Sequence, residues 1–144
     1  MKTSIPFPQA DNVYKLLIFF FRIAEAPTPV ELVNMSVDEM VPRQESYYKA
    51  ALEYLGILHN GDVTKEGLHL LNSGMQVMLR LLVLRILLKE PFANYYHYRD
   101  EKVIESYLTE QEALSESTVY RRKQTVISWI TWIDHIVNKG DKND

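Results

Sequence analysis

The dipeptide Asn60-Gly61 constrains this chain more than any other feature. It stands between Ile57-Leu58-His59 and Asp62-Val63-Thr64, and an asparagine-glycine pair between two short strand candidates is the strongest local hairpin signal, because both turn positions need positive φ. The stretch before it reads as helix. From Arg43 to about Gly56 the apolar positions Tyr48, Ala51, Leu52 and Leu55 recur at three- and four-residue intervals. Arg43, Gln44, Ser46, Tyr47 and Lys49 are left largely on the other face, and Gly56 stops the helix. Upstream, Thr28-Pro29-Val30-Glu31 has the spacing of a capping box with proline at the first helical position, so a short helix is expected to about Asn34. Helix, helix and hairpin in that order over Thr28 to Gly67 predict a winged helix-turn-helix, with the hairpin as its wing.

The rest of the chain predicts mostly helix. Residues Met1 to Ala10 hold Pro6 and Pro8 and read as an extended arm. A first helix over Asn12 to Ala24 carries Val13, Leu16, Leu17, Phe20 and Ala24 on one face. Ile18, Phe19 and Phe21 make it apolar nearly all round, so it must be covered on more than one side. Thr64 can cap a helix over Lys65 to Leu71, and Asn72-Ser73-Gly74 is a break. Met75 to about Lys89, ended by Pro91, reads as a buried spine joining two halves: 1–74 the winged unit, 75–144 a linking helix and second unit sharing one core. In the second half Phe92 to Tyr98 and Glu101 to Glu110 read as helices. Leu114-Ser115-Glu116-Ser117-Thr118 is a polar turn able to cap a last helix from Thr118 to about Asn138. Val119, Val126, Ile130, Ile133 and Val137 form its stripe, and a polar tail from Lys139 to Asp144 comes after. This second half resembles a helix-turn-helix without a wing. The expected fold class is therefore mainly α, with one small hairpin.

Composition excludes several classes. With 144 residues and 47% apolar content, one ordinary domain or two very small ones can bury a core. There is no cysteine, so no disulfide framework, thiolate zinc site or cysteine nucleophile is available. No secretory signal opens the sequence, and the run Met75 to Leu88 is short for a membrane span and broken by Arg80 and Arg85, so the expected setting is cytoplasmic, with no membrane. The four histidines, His59, His69, His97 and His135, are isolated from one another, and no glycine-rich phosphate loop is present. Asp134-His135 is a pair only in sequence, since helix neighbours point apart, and Glu101, Glu105 and Glu112 fit a solvated face. A metal-dependent nuclease would need acidic and lysine residues on strands, and the sequence predicts none outside the hairpin. Neither catalysis, a metal nor a cofactor is expected.

Four stretches carry a family resemblance. They are Ile5-Pro6-Phe7-Pro8-Gln9-Ala10-Asp11 opening a helix, Arg43-Gln44-Glu45-Ser46-Tyr47-Tyr48 before Tyr54-Leu55-Gly56-Ile57-Leu58, and Val63-Thr64-Lys65-Glu66-Gly67. The fourth is Ser117-Thr118-Val119-Tyr120-Arg121-Arg122 with Thr125-Val126-Ile127-Ser128-Trp129-Ile130-Thr131-Trp132-Ile133. Together they resemble a bacterial winged-helix family associated with restriction-modification and related defence proteins. That resemblance implies double-stranded DNA as a partner, and a nuclease, methyltransferase or ATPase as a neighbour.

A recognition helix presents the side chains of its first turns to base edges, while a wing and nearby amides grip phosphate. The candidate contacts in the first unit are Arg43, Gln44, Ser46 and Tyr47, with His59, Asn60 and Lys65 around the wing. Gln44 has the chemistry to pair with adenine, and Arg43 with guanine or phosphate. In the second unit they are Ser117, Thr118, Arg121, Arg122 and Lys123, the only basic triplet in the chain. One of Arg122 and Lys123 is expected to lay its stem on the apolar stripe. Two features favour a protein adaptor or homodimer instead. The net charge is −3, with Asp38, Glu39 and Glu45 flanking the recognition helix, and the apolar surface of the first helix, of Met75 to Leu88 and of Tyr95-Tyr96-His97-Tyr98 exceeds what one small core needs.

Overall fold

The computed structural model describes residues 6–35 and 40–142, the last four of these by backbone alone. In chain order the described elements are α1 (Val13–Ile23), α2 (Val30–Val33), α3 (Pro42–Tyr54), β1 (Leu58–His59), β2 (Asp62–Val63), α4 (Lys65–Leu71), α5 (Met75–Leu87), α6 (Phe92–Tyr98), α7 (Glu101–Glu110) and α8 (Glu116–Lys142). The protein is mainly helical with one small antiparallel sheet. Two compact units divide inside α5, Met1–Met78 and Leu79–Asp144.

In the first unit α1 starts where Asn12 caps it, its side chain accepting the Lys15 N–H at 3.0 Å. Leu16, Leu17 and Phe20 are fully buried, and Phe19 and Phe21 nearly so, which is the many-sided cover its composition demands. The stretch before it has no regular structure over 6–10, as the prolines predict, but it is packed down. Phe7 meets Tyr54 edge-on at 5.7 Å and Ala10 is fully buried. Residues 1–5 of the expected arm lie outside the described residues.

The capping box expected at Thr28 does not form. α2 starts at Val30, Pro29 is its cap residue, and no side chain caps it. Thr28 is thus one position too early to reach the free amides of the first turn, and the four-residue helix is anchored by the fully buried Leu32.

α3 starts with Pro42 in the first turn, and Gln44 Oε1 accepts the Val41 N–H at 3.3 Å. Tyr48, Ala51 and Leu52 form its buried face. Gly56 ends it in a left-handed conformation, φ 76°, with the Ile57 N–H on Leu52 O at 2.9 Å and the Gly56 N–H on Glu53 O at 3.0 Å. This Schellman arrangement turns the chain directly into β1. Leu58 pairs with Val63 and His59 with Asp62, and the turn between them has positive φ at both Asn60 (51°) and Gly61 (86°). Thr64 then ties hairpin to helix. Its hydroxyl lies 2.6 Å from Gly56 O and 2.9 Å from Ile57 O, and it accepts the Gly67 N–H at 3.0 Å as the cap of α4.

In the second unit α7 packs along α8, and α6 lies on both. Phe92 stacks on Trp129 with ring centroids 5.0 Å apart, and Ile104, Leu108, Val126 and Ile133 are fully buried. Such stacking adds about 0.5–1.5 kcal/mol beyond the area it buries. The last helix is longer than its sequence suggests at both ends. It starts at Glu116, so Thr118 lies inside the first turn, and its backbone stays helical through Lys142 where a polar tail is expected. Residues 143–144 of that tail lie outside the described residues. Val137, expected on the buried stripe, is 38% exposed, while Trp129 and Trp132 take up the burial. α5 is not buried all round either: Leu82 and Ile86 are fully buried, but Val77 and Leu84 are exposed, as is Leu88 just after it.

Among the described residues no helix is long and apolar enough to cross a membrane.

Candidate nucleic-acid interface

The first candidate surface is the start of α3. Pro42 has no N–H to leave unsatisfied at this position, and the apolar face directed inward by Tyr48, Ala51 and Leu52 leaves Arg43, Ser46 and Lys49 exposed, with Gln44 and Tyr47 half-buried. Arg43 and Tyr47 are one helical turn apart and act as a pair. The arginine Nε donates to the tyrosine hydroxyl at 3.1 Å, and its guanidinium lies 5.8 Å from the ring centroid. The ring thereby holds the arginine out along the helix, and the remaining guanidinium donors stay at the surface. Ser46 turns back on its own helix, its Oγ donating to Arg43 O at 2.9 Å, so its hydroxyl proton is already used.

The hairpin turn lies beside α3. A Cβ built on Gly61 would come 3.7 Å from Lys49 Nζ, which sets the lysine ammonium directly over the turn. Next to it Asn60 Nδ2 is 3.3 Å from His59 Nε2, and both side chains are exposed. Lys65 is exposed at the start of α4. Glu45, whose charge would oppose an anion here, is matched by Arg22 of α1 at 2.6 Å. Asp38 and Glu39 lie outside the described residues.

Gln44 is less available than its position suggests. Besides the Val41 N–H, its Oε1 accepts a hydrogen bond from Lys15 Nζ at 3.2 Å, and Lys15 is only 8% exposed. Lys15, Lys49 and Arg22 thus join the site without appearing among the contacts that the sequence suggests. One signal for Lys15 is present in the sequence: a lysine on a helix that must be covered on several sides has to be covered too, and then needs an acceptor. Nothing in the sequence points to Lys49 over the turn, because that contact depends on how α3 and the hairpin meet.

The second candidate surface is the start of α8, and its basic triplet separates. Arg121 is exposed, with Nη2 3.5 Å from Thr118 Oγ1, which also accepts from Ser115 Oγ at 3.0 Å. Ser117 is exposed, its Oγ 3.5 Å from that of Ser115, and Arg122 is half-buried. Lys123 is the residue whose stem lies against the helices. Its side chain is 14% exposed, and its ammonium meets Glu105 at 2.9 Å and Glu101 at 3.2 Å. The hydrogen bonds that it donates to the Glu105 and Glu101 carboxylates raise its pKa above the ordinary lysine value. The two glutamates expected on a merely solvated face are thus its partners.

Among the described residues no group of histidine and carboxylate side chains could hold a metal ion. His135 is exposed, and its neighbour Asp134 pairs with Arg99.

These features define a mainly helical protein with a small hairpin beside α3, whose exposed side carries Arg43 and Lys49. The family described as "Domain of unknown function (DUF7226)" matches it over residues 30–138, and the protein belongs to that family. No curated protein and no solved structure matches it.

Proposed function

We propose that the protein is a non-catalytic, DNA-binding or accessory component of a bacterial restriction-modification or related defence system. On this reading α3 and the hairpin are the recognition helix and wing of a winged helix-turn-helix, and α7 with α8 forms a second, wingless unit of the same kind. The observation that carries it is the position of Lys49 over the Asn60-Gly61 turn. It makes the exposed side of α3 and the hairpin one surface, with Arg43 and Lys49 on the helix and Lys65 just beyond the hairpin. Cations gathered on one exposed surface are what the phosphates of a duplex would meet.

The net charge of −3 does not oppose this reading. Binding follows the local field, and Glu45, the acid in the first turn of α3, is neutralised by Arg22. Resemblance to the restriction-associated winged helices supports the cellular context: a cytoplasmic protein working beside a nuclease, methyltransferase or ATPase. The test is a gel shift with random duplex across a salt series. Binding that falls steeply with salt is the expected result, and Arg43→Ala should weaken it on every sequence. No binding at low salt would overturn the reading.

A second reading, a partner-binding adaptor or homodimer, is favoured by one observation. Leu84 and Leu88 of the α5 region are 61% and 73% exposed, one helical turn apart. Sedimentation of the wild type against Leu84→Glu distinguishes it, since only an association through this face would be lost.

A further inference from the structure

Lys15 and Gln44 are 29 residues apart in the chain, on α1 and α3, and the contact between them decides what Gln44 can offer a ligand. Both donors that reach the Gln44 side chain, Lys15 Nζ at 3.2 Å and the Val41 N–H at 3.3 Å, have hydrogens to give and no lone pair to receive with. The atom facing them must therefore be the amide oxygen, so the amide cannot be flipped without setting donor against donor. The nitrogen Nε2, on the other arm of the same amide, is the arm left for a ligand.

We infer that Lys15 is a positioning residue that turns Gln44 into a donor-only contact, so that α3 reads a base acceptor and selects against cytosine. The inference rests on the reading of α3 as the helix that faces DNA. A glutamine pairs with adenine by using both amide atoms at once, its nitrogen to N7 and its oxygen from N6–H. With the oxygen already bonded to Lys15 and Val41, only the nitrogen serves. It can donate to guanine O6 or N7, adenine N7 or thymine O4, whereas cytosine presents only its N4–H donor on that edge. The expectation of adenine pairing drawn from residue type alone is thus replaced by a preference for any base with an acceptor. The buried ammonium also polarises the amide it touches, which strengthens the amide N–H groups as donors.

The test is selection from a randomised duplex pool with the full chain, comparing wild type, Lys15→Met and Gln44→Glu, each checked for folding by thermal melting. Wild type should exclude cytosine at one position and tolerate the other three bases there. Lys15→Met, which keeps the buried stem and removes one of the two donors, should leave only the Val41 N–H on the oxygen, release its second lone pair and move that position toward adenine by about fivefold or more. Gln44→Glu gives Lys15 a counter-ion, so it should fold, but it presents an acceptor, and cytosine should become the preferred base. A Lys15→Met variant that loses affinity equally on all sequences overturns the positioning role while leaving DNA binding intact. Should that variant not fold, Gln44→Glu decides alone, since an unchanged base preference would overturn the inference. If wild type binds no duplex at low salt, the DNA-facing reading of α3 falls, and this inference with it.

Discussion

Arg99 and Asp134 form a two-pronged ion pair across α6 and α8, with Nη1 to Oδ2 at 2.6 Å and Nη2 to Oδ1 at 2.7 Å. Arg99 is also the left-handed residue that ends α6, φ 61°, and its Nε donates to Tyr96 O at 2.8 Å. One guanidinium therefore closes a helix end and fastens it to α8, and the Asp134 contact raises the arginine pKa further.

Because both side chains are partly exposed, the pair is worth about 1 kcal/mol at most. Asp134→Asn should lower stability in urea by that much at low ionic strength. In 1 M salt the difference should shrink, because exposed charges are screened there. A loss independent of salt would mean that packing, and not charge, is what Asp134 supplies.

Two glycines beside the hairpin should respond differently to one methyl group. At Gly67 a Cβ would come 2.5 Å from Ile57 O and 2.8 Å from Val63 Cγ1. The Ile57 oxygen is held by the Thr64 N–H at 3.0 Å and cannot retreat freely. Alanine's helix preference, about 1 kcal/mol over glycine, is outweighed, and Gly67→Ala should destabilise by roughly 2 kcal/mol. At Gly61 space is ordinary, with Lys49 3.7 Å away, and the cost arises from φ 86° alone. Gly61→Ala should therefore cost about 1 kcal/mol. Urea midpoints in the reverse order would contradict this ranking, as would loss of helical circular dichroism in the Gly61 variant.

The features legible in the sequence are those whose cause is local. Asn60-Gly61 names its turn because the required φ values exclude most other residues, and Thr64 and Asn12 name helix starts because each bonds an amide three residues on. Thr28 shows the limit of such signals. Its spacing to Glu31 is right, but the buried position of Leu32 and the extended Pro29 fix the helix one residue later. Long-range partners are not legible. Lys15 with Gln44, Arg22 with Glu45 and Lys123 with Glu105 all join residues at least 18 positions apart, and no local pattern in the chain pairs them. The basic triplet illustrates the consequence: the helical stripe narrows the covered cation to Arg122 or Lys123, and only the packing of α7 on α8 shows that it is Lys123 and gives it Glu105 as a partner.

Alkaline pH should expose the Lys123 pairing. Its folded pKa is raised, so its stabilising contribution is fully present below the unfolded lysine value, about 10.4, and disappears as pH rises through the higher folded value. Tyr48 and Tyr107 are raised as well, each chiefly by burial, and contribute in the same sense. Stability in urea should therefore show no dependence on these groups near pH 7 and fall above about pH 10. Lys123→Met should make that fall shallower. A fall of equal slope in both proteins would show that the tyrosines alone produce it.

Arg121 and Lys123 provide the sharpest comparison for DNA binding. Arg121 is exposed near the start of α8, with the hydroxyl of Thr118 beside it, and the helix N-terminus adds positive potential where a phosphate would sit. Lys123, two positions on, is already neutralised by Glu105 and Glu101. If this helix start contacts DNA, Arg121→Ala should weaken all duplexes about equally and flatten the plot of log affinity against log salt by about one unit, as one lost phosphate contact does. Lys123→Met should leave that slope nearly unchanged, because the charge it removes was not available to release a counterion. Equal effects from both variants would mean that the Lys123 pairs open on binding. An Arg121→Ala protein that folds and keeps both affinity and slope would make the start of α8 a structural or partner-binding element, and leave DNA contact to α3 and the hairpin.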